Sequence, residues 1–141
     1  MKFSYQKLPI HQSVDSRVPR ISRPYLPIYL HNKIQSTPSP YFALLDSGAD
    51  NVLMPAELAE VVGIQDIKGG KNSARIVGVG GQTVDIYFHE LEIQVQGDNR
   101  RLPTIVGFAE KIEIPLLGRS FFQHFREVVF DEKRERIELK A

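Results

Sequence analysis

The chain has 141 residues, of which 42% are hydrophobic and 25% are charged, and these are the proportions of a single soluble globular domain. Eighteen basic residues nearly balance seventeen acidic ones, and the formal charge of +1 gives no electrostatic basis for a nucleic-acid or membrane partner. The absence of cysteine excludes disulfides, thiolate metal sites and a cysteine nucleophile.

The N-terminal residues lack the apolar run of a signal peptide, and no apolar stretch approaches the length of a membrane span. We therefore expect a cytoplasmic protein, and the lack of cysteine is compatible with that reducing compartment.

Prolines and scattered charges in residues 1–22 predict an irregular N-terminal arm with one short strand near Phe3 to Lys7. The pattern changes at residue 23, so the predicted domain comprises residues 23–141. Its first strand covers Tyr25 to Leu30, where Pro27 favours an edge or strand-entry position.

The continuous apolar run Tyr41 to Leu45 predicts a buried strand. Residues Pro55 to Val62 favour a short helix, because proline stands in the first turn and Gly63 follows the last. Segments 74–79 and 83–88 flank a glycine turn and predict a hairpin. Apolar positions alternate in a different phase before and after His89-Glu90, which predicts a bulge or sharp bend there.

The last third of the chain predicts a strand from Leu102 to Phe108 and a short helix from Gly118 to Phe125 with an aromatic face. A charged hairpin follows, with strands at Glu127 to Phe130 and Arg134 to Leu139. Strong helix formers leave a helical alternative open for residues 131–140. These segments together predict one mostly β domain with one or two short helices.

An acid directly follows the buried strand, in the sequence Leu45-Asp46-Ser47-Gly48-Ala49. Gly48 and Ala49 permit a closely packed backbone beneath the carboxylate, and a partly desolvated carboxylate at such an edge is suited to proton transfer. Peptide hydrolysis without a metal or a covalent nucleophile needs two carboxylates, which share one proton when they lie about 3 Å apart. The chain has one Asp-Ser-Gly sequence, so a two-fold homodimer would have to supply the second copy.

Three motifs in this order resemble the retropepsin branch of the aspartic peptidases, over roughly Tyr25 to Phe130. They are Asp46 to Asp50 after an apolar strand, the glycine-rich stretch Ile76 to Gln82, and Pro115 to Arg119 before a predicted helix. The resemblance implies a closed β-barrel with a flap hairpin, and a homodimeric endopeptidase that cleaves extended polypeptides without a cofactor or a metal.

The resemblance also implies roles for residues of the first motif. Asp46 would be the catalytic acid and base, Ser47 would form hydrogen bonds across the dimer axis, and Gly48 would contact the substrate backbone. Ala49 and Asp50 would support the loop that carries the catalytic residue.

Outside that motif, Arg119 would form an ion pair with Asp50 that ties the loop to the helix. Val79, Gly80 and Gly81 would contact the substrate as part of the flap. The chain departs from several viral members, whose short terminal strands interleave at the dimer interface, because it carries an N-terminal arm and a charged tail after Phe125.

Other interpretations stay open at this point. A non-catalytic dimeric module could use the same cleft to bind a peptide strand, and an unrelated small β-barrel could carry Asp46 as a turn residue. The stretch Gly78 to Gly81 lacks the Gly-Lys-Ser/Thr ending of a phosphate loop and precedes a strand pattern rather than a helix. The four histidines have no metal-ligand spacing, and we expect surface or packing roles for them.

Overall fold

The computed structural model describes residues 1–8, 21–70, 72–77 and 80–141. Within these residues the chain forms ten strands, two α-helices and a short 3-10 helix. In chain order the elements are β1 Lys2–Ser4, β2 Tyr25–His31, β3 Tyr41–Leu45, β4 Val52–Pro55, α1 Ala56–Val61, the 3-10 helix Ile67–Gly69, β5 Asn72–Val77, β6 Thr83–Val95, β7 Leu102–Ala109, β8 Leu116–Leu117, α2 Arg119–Phe122, β9 Glu127–Asp131 and β10 Arg136–Lys140.

Six strands close into a barrel in the order β2-β3-β8-β4-β7-β6, because the C-terminal part of β6 pairs back onto β2 from Ile28↔Val95 to His31↔Glu92. Closure leaves no open edge in this ring of strands. The seventh strand of the sheet, β5, pairs only with the first part of β6 and extends from the barrel as a hairpin. The mostly β, closed-barrel fold with two short helices confirms the predicted fold class.

Of the bulge or sharp bend predicted near His89-Glu90, the bulge is wrong, and the sharp bend stays a prediction. Strand β6 pairs with β7 in an uninterrupted register from Tyr87↔Phe108 to Ile93↔Leu102. The buried positions of β6 nevertheless change from even-numbered to odd-numbered residues, since Ile86 is buried in the first part and Leu91, Ile93 and Val95 are buried in the second. This change coincides with a change of the strand that pairs with β6 on the side away from β7, which is β5 in the hairpin and β2 in the barrel.

The core fills the barrel and extends under α1. Strands β2, β3, β4, β6 and β7 contribute fully buried aliphatic and aromatic side chains, including Met54 and Phe108, and α1 adds Leu58 and Ala59. The prediction of a helix ending before Gly63 is confirmed, since Gly63 has φ +82° and its N–H donates to the Glu60 carbonyl at 3.0 Å. Helix α1 has six residues, and no helix in the described part of the chain could cross a membrane.

Helix α2 is shorter than predicted. It ends at Phe122, and the chain continues through i→i+3 bonds from His124 N–H to the Phe121 carbonyl and from Phe125 N–H to the Phe122 carbonyl. This tighter winding keeps both Phe121 and Phe125 buried, with their ring centroids 5.3 Å apart.

The C-terminal hairpin is confirmed, and the helical alternative for residues 131–140 is wrong. Ile137 and Leu139 alternate into the core while Arg136, Glu138 and Lys140 lie on the other face. Tertiary burial of this alternating pattern outweighs the helix propensity of the segment. Strand β1, predicted near residues 3–7, is found at Lys2–Ser4 and pairs with β10, so the order of this second sheet is β1-β10-β9.

Candidate active site

Asp46 stands directly after β3, which pairs with β2 and β8 in the barrel. On one side Leu45 donates its N–H to the Pro24 carbonyl at 2.9 Å, and on the other β3 runs parallel to β8. The N–H of Asp46 itself donates to the Leu117 carbonyl at 3.0 Å. The sheet therefore fixes the backbone of the acid from both sides, while its side chain stays half-buried rather than enclosed.

The loop after Asp46 folds back on the carboxylate. The Gly48 N–H donates to Asp46 Oδ1 at 2.9 Å, and the Ala49 N–H donates to the Asp46 carbonyl at 3.2 Å. A Cβ at position 48 would lie 3.3 Å from the same Oδ1. Glycine at this position therefore allows the backbone to approach and orient the carboxylate without crowding it. Ser47 and Gly48 are both exposed beside it.

Backbone bonds tie this loop to the start of α2. The Arg119 N–H donates to the Ala49 carbonyl at 2.8 Å, and the Ser120 N–H donates to the Asp50 carbonyl at 2.9 Å. Gly118 is buried against the same loop, where a Cβ would collide with the Asn51 carbonyl oxygen and lie 2.6 Å from that of Ala49. Only glycine lets the two segments come this close.

The side chains of Asp50 and Arg119 do not form the ion pair that the resemblance implies, as judged among the described residues of this single chain. Both residues are exposed. Their segments still meet, but through the main chain. The ion pair between the two side chains stays a prediction.

A shallow open depression of about 290 Å³ lies beside the loop and is lined by Ser47, Arg119, Phe122 and Gln123. Two of these residues were predicted to support the site. Phe122 and Gln123 were not, because an aromatic residue on a predicted helix face indicates core packing in a sequence, and only the tertiary fold shows which faces stay open.

The glycine turn of the hairpin is found where the sequence predicted it. Val77 pairs with Thr83, and Gly80 and Gly81 have φ of +95° and +79°. Val79, predicted to contact substrate, lies outside the described residues. Val77 at the end of β5 has 67% of its surface exposed, which leaves an apolar side chain uncovered near the hairpin tip.

Sequence reasoning missed a contact at the base of the hairpin. His89 Nε2 and the Ile67 carbonyl are 2.7 Å apart, and the His89 ring packs edge-on against Phe108 with centroids 5.7 Å apart. A Cβ on Gly70, two residues before β5 begins, would collide with the Phe88 carbonyl. The histidine has a packing role, as expected, and no signal in the sequence indicates its partner.

The other histidines and acids in the described part of the chain do not assemble a second chemical centre. No group of histidine, aspartate and glutamate in the described residues could hold a metal ion. His31 is buried between Ser36 Oγ at 2.6 Å and Gln94 Oε1 at 2.8 Å, so both ring nitrogens have neighbours. This pattern is that of a satisfied core histidine.

A closed six-stranded barrel that holds Asp-Ser-Gly at the end of β3, with a projecting glycine hairpin, defines a retropepsin-like protein. A family model described as retroviral aspartyl protease matches residues 21–128. The match covers well over half of the chain, and the chain therefore belongs to the retroviral aspartyl protease family.

Solved structures agree with this fold. A retropepsin-like aspartic protease from Rickettsia conorii is similar with a TM-score of 0.60 and 15% identity, over 82% of this chain and 88% of that one. EIAV protease in complex with an inhibitor is similar with a TM-score of 0.52 and 23% identity, over 79% of this chain and 93% of that one. No curated protein matches the chain in a sequence comparison. At these identities the similarity establishes the fold and not the activity.

Proposed function

We propose that this chain is an aspartic endopeptidase that acts as a homodimer, with Asp46 of each subunit as the catalytic carboxylate. One observation carries the proposal. The Asp46 carboxylate is held by the Gly48 N–H at 2.9 Å at the end of β3, and it is half-exposed beside Ser47, which lines the open depression. Membership of the aspartyl protease family supports it.

The chemistry follows from placing two such carboxylates about 3 Å apart, where like charges make them share one proton. The ionised Asp46 takes a proton from a water between the subunits, and the oxygen of that water forms a bond to the peptide carbonyl carbon. The protonated Asp46 gives its proton to the carbonyl oxygen. The Asp46 that took the proton from water then gives it to the amide nitrogen as the C–N bond breaks, and the other Asp46 recovers a proton from a hydroxyl of the tetrahedral intermediate as the carboxyl product forms, which restores the shared proton. Because water and not a side chain attacks the carbonyl carbon, no acyl-enzyme is formed.

Other residues would position the two chains and the substrate. Ser47, exposed next to Asp46, would form hydrogen bonds across the dimer axis. Gly48 would offer backbone contacts to an extended polypeptide, bound like an added strand. Gly80 and Gly81 would let the hairpin close over that polypeptide as a flap, and Val79 would belong to the same surface.

Digestion of a peptide library from about pH 3 to about pH 8 tests the proposal, with wild type compared with Asp46→Asn. The substitution keeps the shape of the side chain and removes its proton chemistry. Asp98→Asn, in the turn between β6 and β7, is the matched control. We expect cleavage by wild type and by the control, and none by Asp46→Asn.

Two results would contradict the assignment in different ways. Persistent cleavage by Asp46→Asn would show that another group does the chemistry. Binding of library peptides without cleavage by wild type at any pH would identify the chain as a dimeric peptide-binding module.

A further inference from the structure

Among the residues that the structure describes, nothing pairs with one edge of β9 in the second sheet. The Leu139 N–H donates to the Met1 carbonyl, and the Glu135 carbonyl accepts from the Tyr5 N–H, both at 2.8 Å. Odd-numbered residues of β10 therefore direct their backbone groups to β1, and even-numbered ones direct theirs to β9. With the register Arg136↔Asp131, the odd residues of β9 bond to β10. Val128 and Phe130 then direct both N–H and C=O toward the open edge.

This edge lies next to the candidate site. The Phe130 ring contacts the Phe122 ring with centroids 6.2 Å apart, and Phe122 lines the same depression as Ser47. One ring contact thus connects the free backbone edge of β9 to the loop that carries Asp46. Any molecule that pairs with β9 also approaches that loop.

The opposite edge of the sheet is less suited to pairing. Strand β1 has three residues, and the alternation that directs its odd residues to β10 places the backbone groups of Lys2 and Ser4 outward. A lysine on a short edge strand discourages pairing with another chain. The Ser4 carbonyl also has a contact at 3.4 Å from Gln6 Nε2. The five-residue β9 is the longer and more open edge.

We propose that a second copy of this chain docks on the β9 edge, antiparallel about a two-fold axis at Val129, so that two three-stranded sheets become one six-stranded sheet. The proposal rests on the homodimeric function proposed above and specifies how the two subunits meet. In each chain, β1 pairs with β10 of the same chain. The dimer therefore needs no exchange of terminal strands between subunits.

The choice of Val129 as the centre follows from the backbone. In this register Val128 faces Phe130 of the partner subunit and Phe130 faces the partner's Val128, so all the outward N–H and C=O groups of both residues are bonded. If the two-fold axis passed through residue 128 or residue 130 instead, some of the outward N–H and C=O groups of Val128 and Phe130 would have no strand residue of the partner subunit to pair with. An isologous contact of this kind closes at two copies.

One feature of this register is unfavourable by itself, since Glu127 faces Asp131 of the partner subunit. Each carboxylate already has a basic partner in its own chain. Lys140 lies 2.8 Å from Glu127, and Arg134 lies 3.1 Å from Asp131. Hydrogen bonds from these partners lower the pKa of both carboxyls. The two charges are therefore largely compensated before the chains meet.

Single-cysteine cross-linking tests the geometry, because the natural chain contains no cysteine. The experiment uses Asp46→Asn as background, so that no cleavage complicates it. Directly opposed residues of a non-hydrogen-bonded antiparallel pair have Cα atoms about 4.5 Å apart, within the range that a disulfide spans. We expect Val129→Cys to give a covalent dimer on mild oxidation. Ser4→Cys on the β1 edge and Ile105→Cys, which is 56% exposed on β7, should stay monomeric on non-reducing gels.

A proline variant tests the hydrogen bonds. Val128→Pro removes an N–H that points to the open edge and spares the bonds to β10, a position where edge strands tolerate proline. By sedimentation, its dimer should be at least about tenfold weaker than that of the background. Ser4→Pro, the equivalent change on the β1 edge, should leave the dimer unchanged. Circular dichroism checks that both variants are folded.

The docking proposal is overturned if the Asp46→Asn background is a dimer but Val129→Cys does not cross-link, or if Ser4→Cys cross-links instead. A background that stays monomeric at all concentrations overturns it too, as does a folded Val128→Pro that keeps full dimer affinity. These results are independent of catalysis. A β9-linked dimer whose wild type never cleaves a peptide would refute the proposed activity alone, and an active wild type without the β9 contact would refute the docking alone.

Discussion

The backbone N–H of Arg119 lies 2.8 Å from the carbonyl oxygen of Ala49 and donates a hydrogen bond to it. This bond joins the loop after Asp46 to the first residue of α2 through main-chain atoms. The position of the loop is therefore set by how closely two backbones approach, and Gly118 is the residue that permits the approach.

Gly118→Ala should displace the Asp46 loop. Its Cβ would collide with the Asn51 carbonyl oxygen, and overpacking of this kind costs about 1–3 kcal/mol. We expect a lower free energy of unfolding in urea together with a large loss of peptidase activity. Gly69→Ala is the control, because a Cβ there meets nothing within 4 Å. Equal behaviour of the two variants would argue against the close approach.

Arg119→Ala should have little effect on the stability of the single chain. Its side chain is exposed and forms no ion pair among the described residues, and the hydrogen bond to Ala49 uses its backbone. Exposed substitutions of this type change the free energy of unfolding by less than about 0.5 kcal/mol. Chemical denaturation measures it. A loss well above that value would indicate that the ion pair with Asp50 forms in solution.

Gly81→Ala should lower kcat/KM more than it lowers stability. At φ +79° a side chain costs about 1–2 kcal/mol of local strain, and the strain falls on the hairpin that we propose closes over substrate. Gly97→Ala provides the matched control, since Gly97 has φ +89°, equally open surroundings and a position in another turn. Both variants should lose similar thermal stability. If Gly97→Ala loses as much activity, the hairpin has no special role in binding substrate.

The pH dependence of peptide cleavage should be bell-shaped, with its maximum at acidic to mildly acidic pH. Two coupled carboxylates hold a single proton only between the two apparent pKa values of the pair. Below that interval both are protonated and neither can accept a proton from water. Above it both are ionised and none can protonate the substrate. Measurement of kcat/KM against pH checks this, and a maximum at alkaline pH would exclude the mechanism.

Asp98 should contribute to stability at neutral pH and lose that contribution in acid. Hydrogen bonds from the Arg100 side chain, whose guanidinium also lies 5.4 Å from the Phe125 ring centroid, hold the pKa of Asp98 below its ordinary value of 3.8. The contribution is present above about pH 4 and disappears as pH falls through the lowered pKa.

Asp98→Asn should therefore lower the free energy of unfolding near pH 7 by less than about 1 kcal/mol, and the two proteins should converge in acid once the pH is below the lowered pKa of Asp98. Urea denaturation across this range measures the difference. A difference that grows as pH falls would contradict the sign of the pKa change.

Local patterns in the sequence determined much of the candidate site. The apolar run of β3 followed by Asp46-Ser47-Gly48, the glycine turn at Gly80-Gly81 and the alternation of Ile137 and Leu139 are each set by neighbours a few residues apart. Steric limits on the backbone and the period of side-chain burial act over that distance. Strand, turn and hairpin could accordingly be predicted without the fold.

The tertiary structure decided what depends on residues far apart in sequence. Closure of the barrel by β2 and β6 replaced the expected bulge with a change of strand partner. The pairing of β1 with β10 of the same chain left β9 as an open edge among the described residues. The contact between the Asp50 and Arg119 segments was predicted, but its atoms were not, because a sequence specifies which side chains are present and only the packed backbone decides which main-chain groups come within hydrogen-bonding distance.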